Sequence, residues 1–102
     1  MKGIQEKRGA RRVAKSLFVK YRFSGGTQWF ESESIDMTPR GIKLSGHLRT
    51  RSDDLLELRF SVKGQLINCR MLVTNSDGQK PGGYFTNIKN TDALTLGEYL
   101  YN

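Results

Sequence analysis

One cysteine and one histidine are present in the whole chain. Cys69 by itself cannot form an internal disulfide. Together with His47 it falls short of the tetrahedral ligand set of a zinc site. No apolar run approaches the roughly 20 residues that cross a bilayer as a helix. The basic N-terminus is not followed by the apolar stretch of a secretory signal. Prolines number two, and Gly78, Gly82 and Gly83 lack the Lys-Ser/Thr sequel of a phosphate loop. Glu31 and Glu33 share one strand face, with nothing apolar around them to raise a carboxyl pKa. These absences predict a cytoplasmic binding protein, with no metal, no cofactor and no catalytic constellation.

What the chain has in excess is positive charge. The net charge is +7, and residues 1–22 hold eight basic side chains against one acid, Glu6. The remaining residues balance to zero, so the excess lies in the first fifth of the sequence and implies an anionic partner. With 102 residues and 36% hydrophobic content, the chain has room for one domain with a thin core. A closed sheet suits such a core better than a multilayer fold.

Residues 1–15 are polar and basic, without apolar periodicity, and read as an arm that is mobile without ligand. From Ser16 the pattern alternates: Leu17, Val19, Tyr21 and Phe23 against Phe18, Lys20 and Arg22. That period of two predicts a strand. Ser24-Gly25-Gly26-Thr27 signals a turn, and Trp29 to Ile35 alternates again. Asp36 to Gly41 interrupts the pattern as a turn, and Gly41 to Ser45 resumes it. Leu55 to Val62 predicts a further strand, Lys63-Gly64-Gln65 a hairpin turn, and Leu66 to Thr74 its return. Asn75 to Gly82 reads as a loop and Gly83 to Ile88 as a last short strand. Ala93, Leu94, Leu96, Leu100 and Tyr101 then fall at helical spacing, behind Asn90 or Thr91 as a cap. The expected fold is all-β with one C-terminal helix: a six-stranded antiparallel barrel over residues 16–102, with the helix at about 90–101.

Two clusters carry chemistry. In Arg8-Gly9-Ala10-Arg11-Arg12, planar guanidinium forks four residues apart can converge on phosphate oxygens, on a guanine edge or on a purine face. In Asp36-Met37-Thr38-Pro39-Arg40-Gly41, a carboxylate able to accept from guanine donors enters a turn. Gly41 there supplies either a positive φ or room for a close ligand. Either cluster alone has a plain reading, as a solvated tail or as a self-bonded turn. Cys69 alternates with Ile67 and Met71 as a small core residue. Trp29, Phe30, Tyr84 and Phe85 read as core and barrel-face residues, His47 as a surface group, and Arg70 as an outward side chain within range of a ligand.

Taken in order, Arg8-x-x-x-Arg12, a strand hairpin, then Asp36-x-Thr38-x-x-Gly41 followed by Ile42 and Leu44 resemble the PilZ family, as does Gly83-Tyr84-Phe85. That family's second motif has Ser where this chain has Thr38. The resemblance implies the six-stranded PilZ barrel and cyclic di-GMP as ligand. It implies that Arg8 and Arg12 contact phosphates and guanine edges, with Arg11 adding a phosphate contact. Asp36 then bonds a guanine, Thr38 supplies a hydroxyl and Gly41 the backbone geometry. With no output module in the chain, the signal would pass to a protein partner as the arm becomes ordered. The alternatives are a small basic barrel that binds RNA or DNA, and a PilZ-like interaction module without nucleotide.

Overall fold

A computed structural model describes residues 16–45, 50–77 and 80–101. Arg8, Arg11 and Arg12, the rest of the arm, and His47 lie outside the described residues. Six strands precede one helix: β1 (Phe18–Phe23), β2 (Phe30–Thr38), β3 (Gly41–Leu44), β4 (Leu55–Val62), β5 (Gln65–Asp77), β6 (Lys80–Phe85) and α1 (Asn90–Tyr101). All pairings are antiparallel, and the strands close into a barrel in the order β1-β2-β3-β6-β5-β4. Closure leaves no free sheet edge in the ring.

The alternation in the sequence becomes the inside and outside of the barrel. Val19 and Tyr21 of β1 are buried, as are Leu56, Leu58, Phe60 and Val62 of β4, while Phe18 and Lys20 are exposed. Ile67, Cys69, Met71 and Val73 of β5 face the same core, so the small-core-residue reading of Cys69 holds. Burial, and secondarily the negative charge of Asp92, push the Cys69 thiol up to about 12. The thiol is therefore protonated and inert at neutral pH. The Tyr21 hydroxyl is also buried in the barrel, without a hydrogen-bond partner among the described residues.

The β4–β5 hairpin is tight. Val62 pairs with Gln65, and the two residues between, Lys63 and Gly64, both have positive φ, at 53° and 78°. That is the turn whose twist matches a two-residue hairpin. Leu56 and Leu58 of β4 are buried and alternate with outward Glu57 and Arg59, as a strand requires.

Three expected boundaries move. β2 does not end at Ile35 but continues to Thr38, through a bulge between Ser34 and Asp36. The extra residue shifts the alternation by one, so Ser32, Ser34 and then Met37 face inward. Similarly, Asn75 to Gly82 is mostly strand: β5 and β6 pair from Met71↔Phe85 out to Asp77↔Lys80. The last strand is therefore Lys80–Phe85 rather than Gly83 to Ile88. Pro81 is tolerated because β3 pairs only with Gly82, Gly83 and Tyr84. The missing N–H thus removes no bond from that ladder. Lastly, Ala93 N–H donates to the Lys89 carbonyl, which makes Lys89 the helix cap instead of Asn90 or Thr91.

Helix α1 closes one end of the barrel with Leu96 and Leu100. Gln65 anchors it, donating to the Asp92 carboxylate and accepting from the Thr95 hydroxyl at 3.2 Å. Asp92 sits in the first helical turn, where a negative charge also suits the helix dipole. The Pro39 ring faces Gly97, 3.9 Å from where a Cβ would stand. The helix therefore abuts the turn between β2 and β3.

Candidate ligand-binding face

Asp36, Thr38 and Gly41 come together on the outside of β2, β3 and β6. Directly paired residues share a sheet face. Asp36 pairs with Lys43, Lys43 with Gly82, and Gly82 with Asn75. One step along, Thr38 pairs with Gly41, Gly41 with Tyr84, and Tyr84 with Leu72. Two neighbouring rows therefore cross the strands, with glycine inside each. Both glycines are buried, and a Cβ at Gly82 would meet Asn75 Oδ1 at 3.5 Å and Lys43 Cγ at 3.6 Å, whereas Tyr84 is 60% exposed.

The turn itself is shorter than the sequence pattern implies. Only Pro39 and Arg40 lie between the paired Thr38 and Gly41. Thr38 Oγ1 accepts from the N–H groups of Arg40 (3.0 Å) and Gly41 (3.1 Å). The self-bonded turn is thus real, and it is Thr38 that makes it. At 6% exposure the threonine side chain is a buried organiser of the turn. Its hydroxyl proton is not used by either of these bonds. We expect Thr38→Val to leave both N–H groups unsatisfied and to lower stability by about 2 kcal/mol, whereas Thr38→Ser should be close to neutral. Thermal or urea unfolding of the two variants checks this, and equal stability would remove the turn-organising role.

Of the two roles expected for Gly41, a positive φ is not the one found; among the described glycines only Gly25 and Gly64 have it. The reason for glycine here is close approach. A Cβ at Gly41 would overlap the Gly83 carbonyl oxygen and lie 3.2 Å from its carbon. Arg40 completes the junction by accepting the Phe85 N–H through its carbonyl at 2.8 Å.

Leu17, just before β1, bonds β2 beside this face. Leu17 N–H donates to Ser34 Oγ at 2.8 Å, and Ser34 N–H donates to the Leu17 carbonyl at 2.9 Å. Ser34 precedes Asp36 by two residues.

Sequence reading did not name Lys43 or Tyr84 as members of this face, and it left the partners of Trp29 unspecified. Lys43 alternates with buried Ile42 and Leu44, which is the signal that could have placed it outside. Trp29 is half-buried on the opposite side of the ring. There the guanidinium carbons of Arg22 and Arg59 each stand 4.6 Å from its ring centroid. Nothing in the residue pattern specified that meeting, because it joins the approach to β2 with β1 and β4.

A closed six-stranded antiparallel barrel with one C-terminal helix and a β2–β3 turn beside a carboxylate is the PilZ fold, so the resemblance read from the motifs is borne out at the level of fold. The structure superposes on the Bacillus subtilis inhibitor of motility MotI/DgrA with a TM-score of 0.77 and 18% identity, over 91% of this chain and 49% of that one. It also superposes on the PilZ domain of CeSA from a cellulose-synthesizing bacterium, with a TM-score of 0.72 and 9% identity, over 89% of this chain and 95% of that one. This chain thus spans about half the length of the motility inhibitor. No protein-family profile and no curated protein sequence matches it. Among the described residues no helix is long and apolar enough to cross a membrane.

Proposed function

We propose that this protein is a cytoplasmic receptor module for cyclic di-GMP, a binding protein rather than an enzyme. The nucleotide lies on the outer face of β2, β3 and β6. Asp36 accepts hydrogen bonds from guanine. Arg8 and Arg12, with Arg11 beside them, bring guanidinium forks to the phosphates and to the guanine edges. Closing the arm over the ligand neutralises charge on both and creates a new surface for a protein partner.

The observation that carries this reading is the register of β1 against β2. Phe18 pairs with Glu33 and Leu17 bonds Ser34. Antiparallel pairing therefore brings Ser16 and Leu17 to the part of β2 that runs on to Asp36 and Thr38. Arg12 is four residues from Ser16, a reach of about 13 Å when extended. That reach supports one ligand shared by the Arg8-x-x-x-Arg12 and Asp36-x-Thr38-x-x-Gly41 motifs, which are separated in sequence. Two purines and two phosphates match a donor-rich arm opposite a carboxylate better than a nucleic-acid backbone would.

The direct test is calorimetric titration of the purified protein and of Asp36→Ala with cyclic di-GMP. The parent is expected to bind. The variant is expected to lose about 1.5–3 kcal/mol, the value of hydrogen bonds to a charged group. No heat from the parent would end the receptor reading. Equal binding by the two proteins would remove Asp36 from the site, and tighter binding of a mixed-sequence oligonucleotide would favour the basic nucleic-acid barrel.

A further inference from the structure

The sequence places the whole charge excess in the first fifth of the chain, yet Lys20 and Arg22 of that excess belong to β1. They do not lie with the arm's target face. Lys20 pairs with Arg59, and Arg59 with Asn68; Arg22 pairs with Glu57, and Glu57 with Arg70. The outer face of β1, β4 and β5 therefore gathers four cations around one carboxylate. In the ring order, β1 and β4 lie opposite β6 and β3, so this is the far side of the barrel from Asp36.

We propose that this face is a docking site for an acidic segment of a partner protein that also carries apolar side chains. A closed ring offers no strand edge for an added strand, so a partner must engage side chains. The cationic half is a cleft of about 440 Å³. Its arginines are already held in place. Arg22 binds the Glu57 carboxylate through Nε at 2.8 Å and Nη2 at 2.7 Å. Arg59 Nε donates to Asn68 Oδ1 at 2.9 Å. Trp29 takes both guanidiniums on its ring. Side chains fixed in advance lose less entropy on binding. Glu57 shows in place how a carboxylate seats here, while exposed Arg70 stands in the same cleft without a carboxylate of its own among the described residues.

Beside the cleft lies an apolar groove of about 390 Å³, between Phe18 and Leu66, each 54% exposed. Arg59 lines both hollows. The occupant must therefore carry apolar and acidic groups close together. The protein's own arm is disfavoured, because residues 1–15 hold six basic side chains and one acid. A bilayer meets protruding apolar groups, whereas this surface is concave. Nucleic acid would find the Trp29 ring already taken by arginines and Glu57 in the middle of the cleft.

The test is an amide and indole NMR titration of the full chain, without nucleotide. The probe is a synthetic peptide of glutamate and leucine interspersed with serine. The expected result is movement of the Trp29 indole and of the Arg59, Leu66 and Arg70 amides. Affinity should fall by about tenfold or more in Arg59→Glu/Arg70→Glu, as for central charged contacts of an interface. Leu66→Asp gives a second variant with the charges left intact and is expected to weaken binding as well; the amide spectrum of each variant verifies the barrel. The same peptide with lysine for glutamate should not bind. Absent or dispersed shifts, variants that bind like the parent, or preferential binding to phosphatidylglycerol vesicles or to a mixed-sequence oligonucleotide would overturn the proposal.

Discussion

Alanine at Gly83 is expected to destabilise the barrel by about 3 kcal/mol or more, the upper range for overpacking against atoms that cannot move aside. Gly83 pairs with Ile42 on one side and Val73 on the other, both in the core. A Cβ there would overlap the Leu72 carbonyl oxygen, and would stand 2.8 Å from the Leu72 carbonyl carbon and 3.0 Å from Val73 Cα. All three atoms are backbone of β5, so no rotamer change relieves the clash, and β5 would have to part from β6. For a domain of this size the expected fall in Tm is about 12–24 °C. Gly64→Ala provides the contrast. Nothing lies within 4 Å of its Cβ position, and its φ is +78°, so only the cost of a left-handed backbone applies, about 1–2 kcal/mol. Urea unfolding of the two variants separates the mechanisms. A Gly83→Ala protein as stable as Gly64→Ala would show that β5 and β6 can yield.

The second large effect concerns the arm. Arg8→Ala/Arg12→Ala is expected to weaken cyclic di-GMP binding by about 3–6 kcal/mol, or roughly 10²–10⁴-fold, from the loss of two charge-assisted contacts. Stability should change little, since both residues precede the first barrel strand. That separation distinguishes the prediction from Gly83→Ala, where stability falls first and binding follows. Arg11→Ala should fall between the parent and the double variant. Calorimetry at fixed salt is the measurement, because phosphate contacts are screened by ions. Retained affinity in the double variant would move the ligand away from the arm, whatever the behaviour of Asp36→Ala.

Much of this architecture could be read from local pattern. Val19 and Tyr21 alternate with Phe18, Lys20 and Arg22, and they are inside and outside as the period of two requires. Leu55–Val62 and Lys63-Gly64 form the strand and two-residue turn that their side chains favour. The spacing of Leu96 and Leu100 places them against the barrel end. Errors concentrate where pairing overrides local composition. Asp36 and Thr38 look like loop residues, yet β3 holds them in β2 once a bulge has shifted the alternation. Asn75, Pro81 and Gly82 look like a loop as well, but Asn75 belongs to the long β5, which pairs with Pro81 and Gly82 of β6, and the proline falls beyond the reach of β3.

The same division applies to function. Charge, the order of the Arg8–Arg12 and Asp36–Gly41 motifs and the predicted hairpin between them are properties of the chain read linearly. By themselves they determined the fold class and a ligand worth testing. Tertiary structure alone decided three things: that Thr38 is spent on its own turn, that Gly41 is glycine because the Gly83 carbonyl presses on it, and that Arg22 and Arg59 meet over Trp29, with Arg70 in the same cleft, on the side of the barrel away from Asp36. The physical reason is common to all three. Each depends on strands distant in sequence meeting in a particular register, and closure of the ring sets that register.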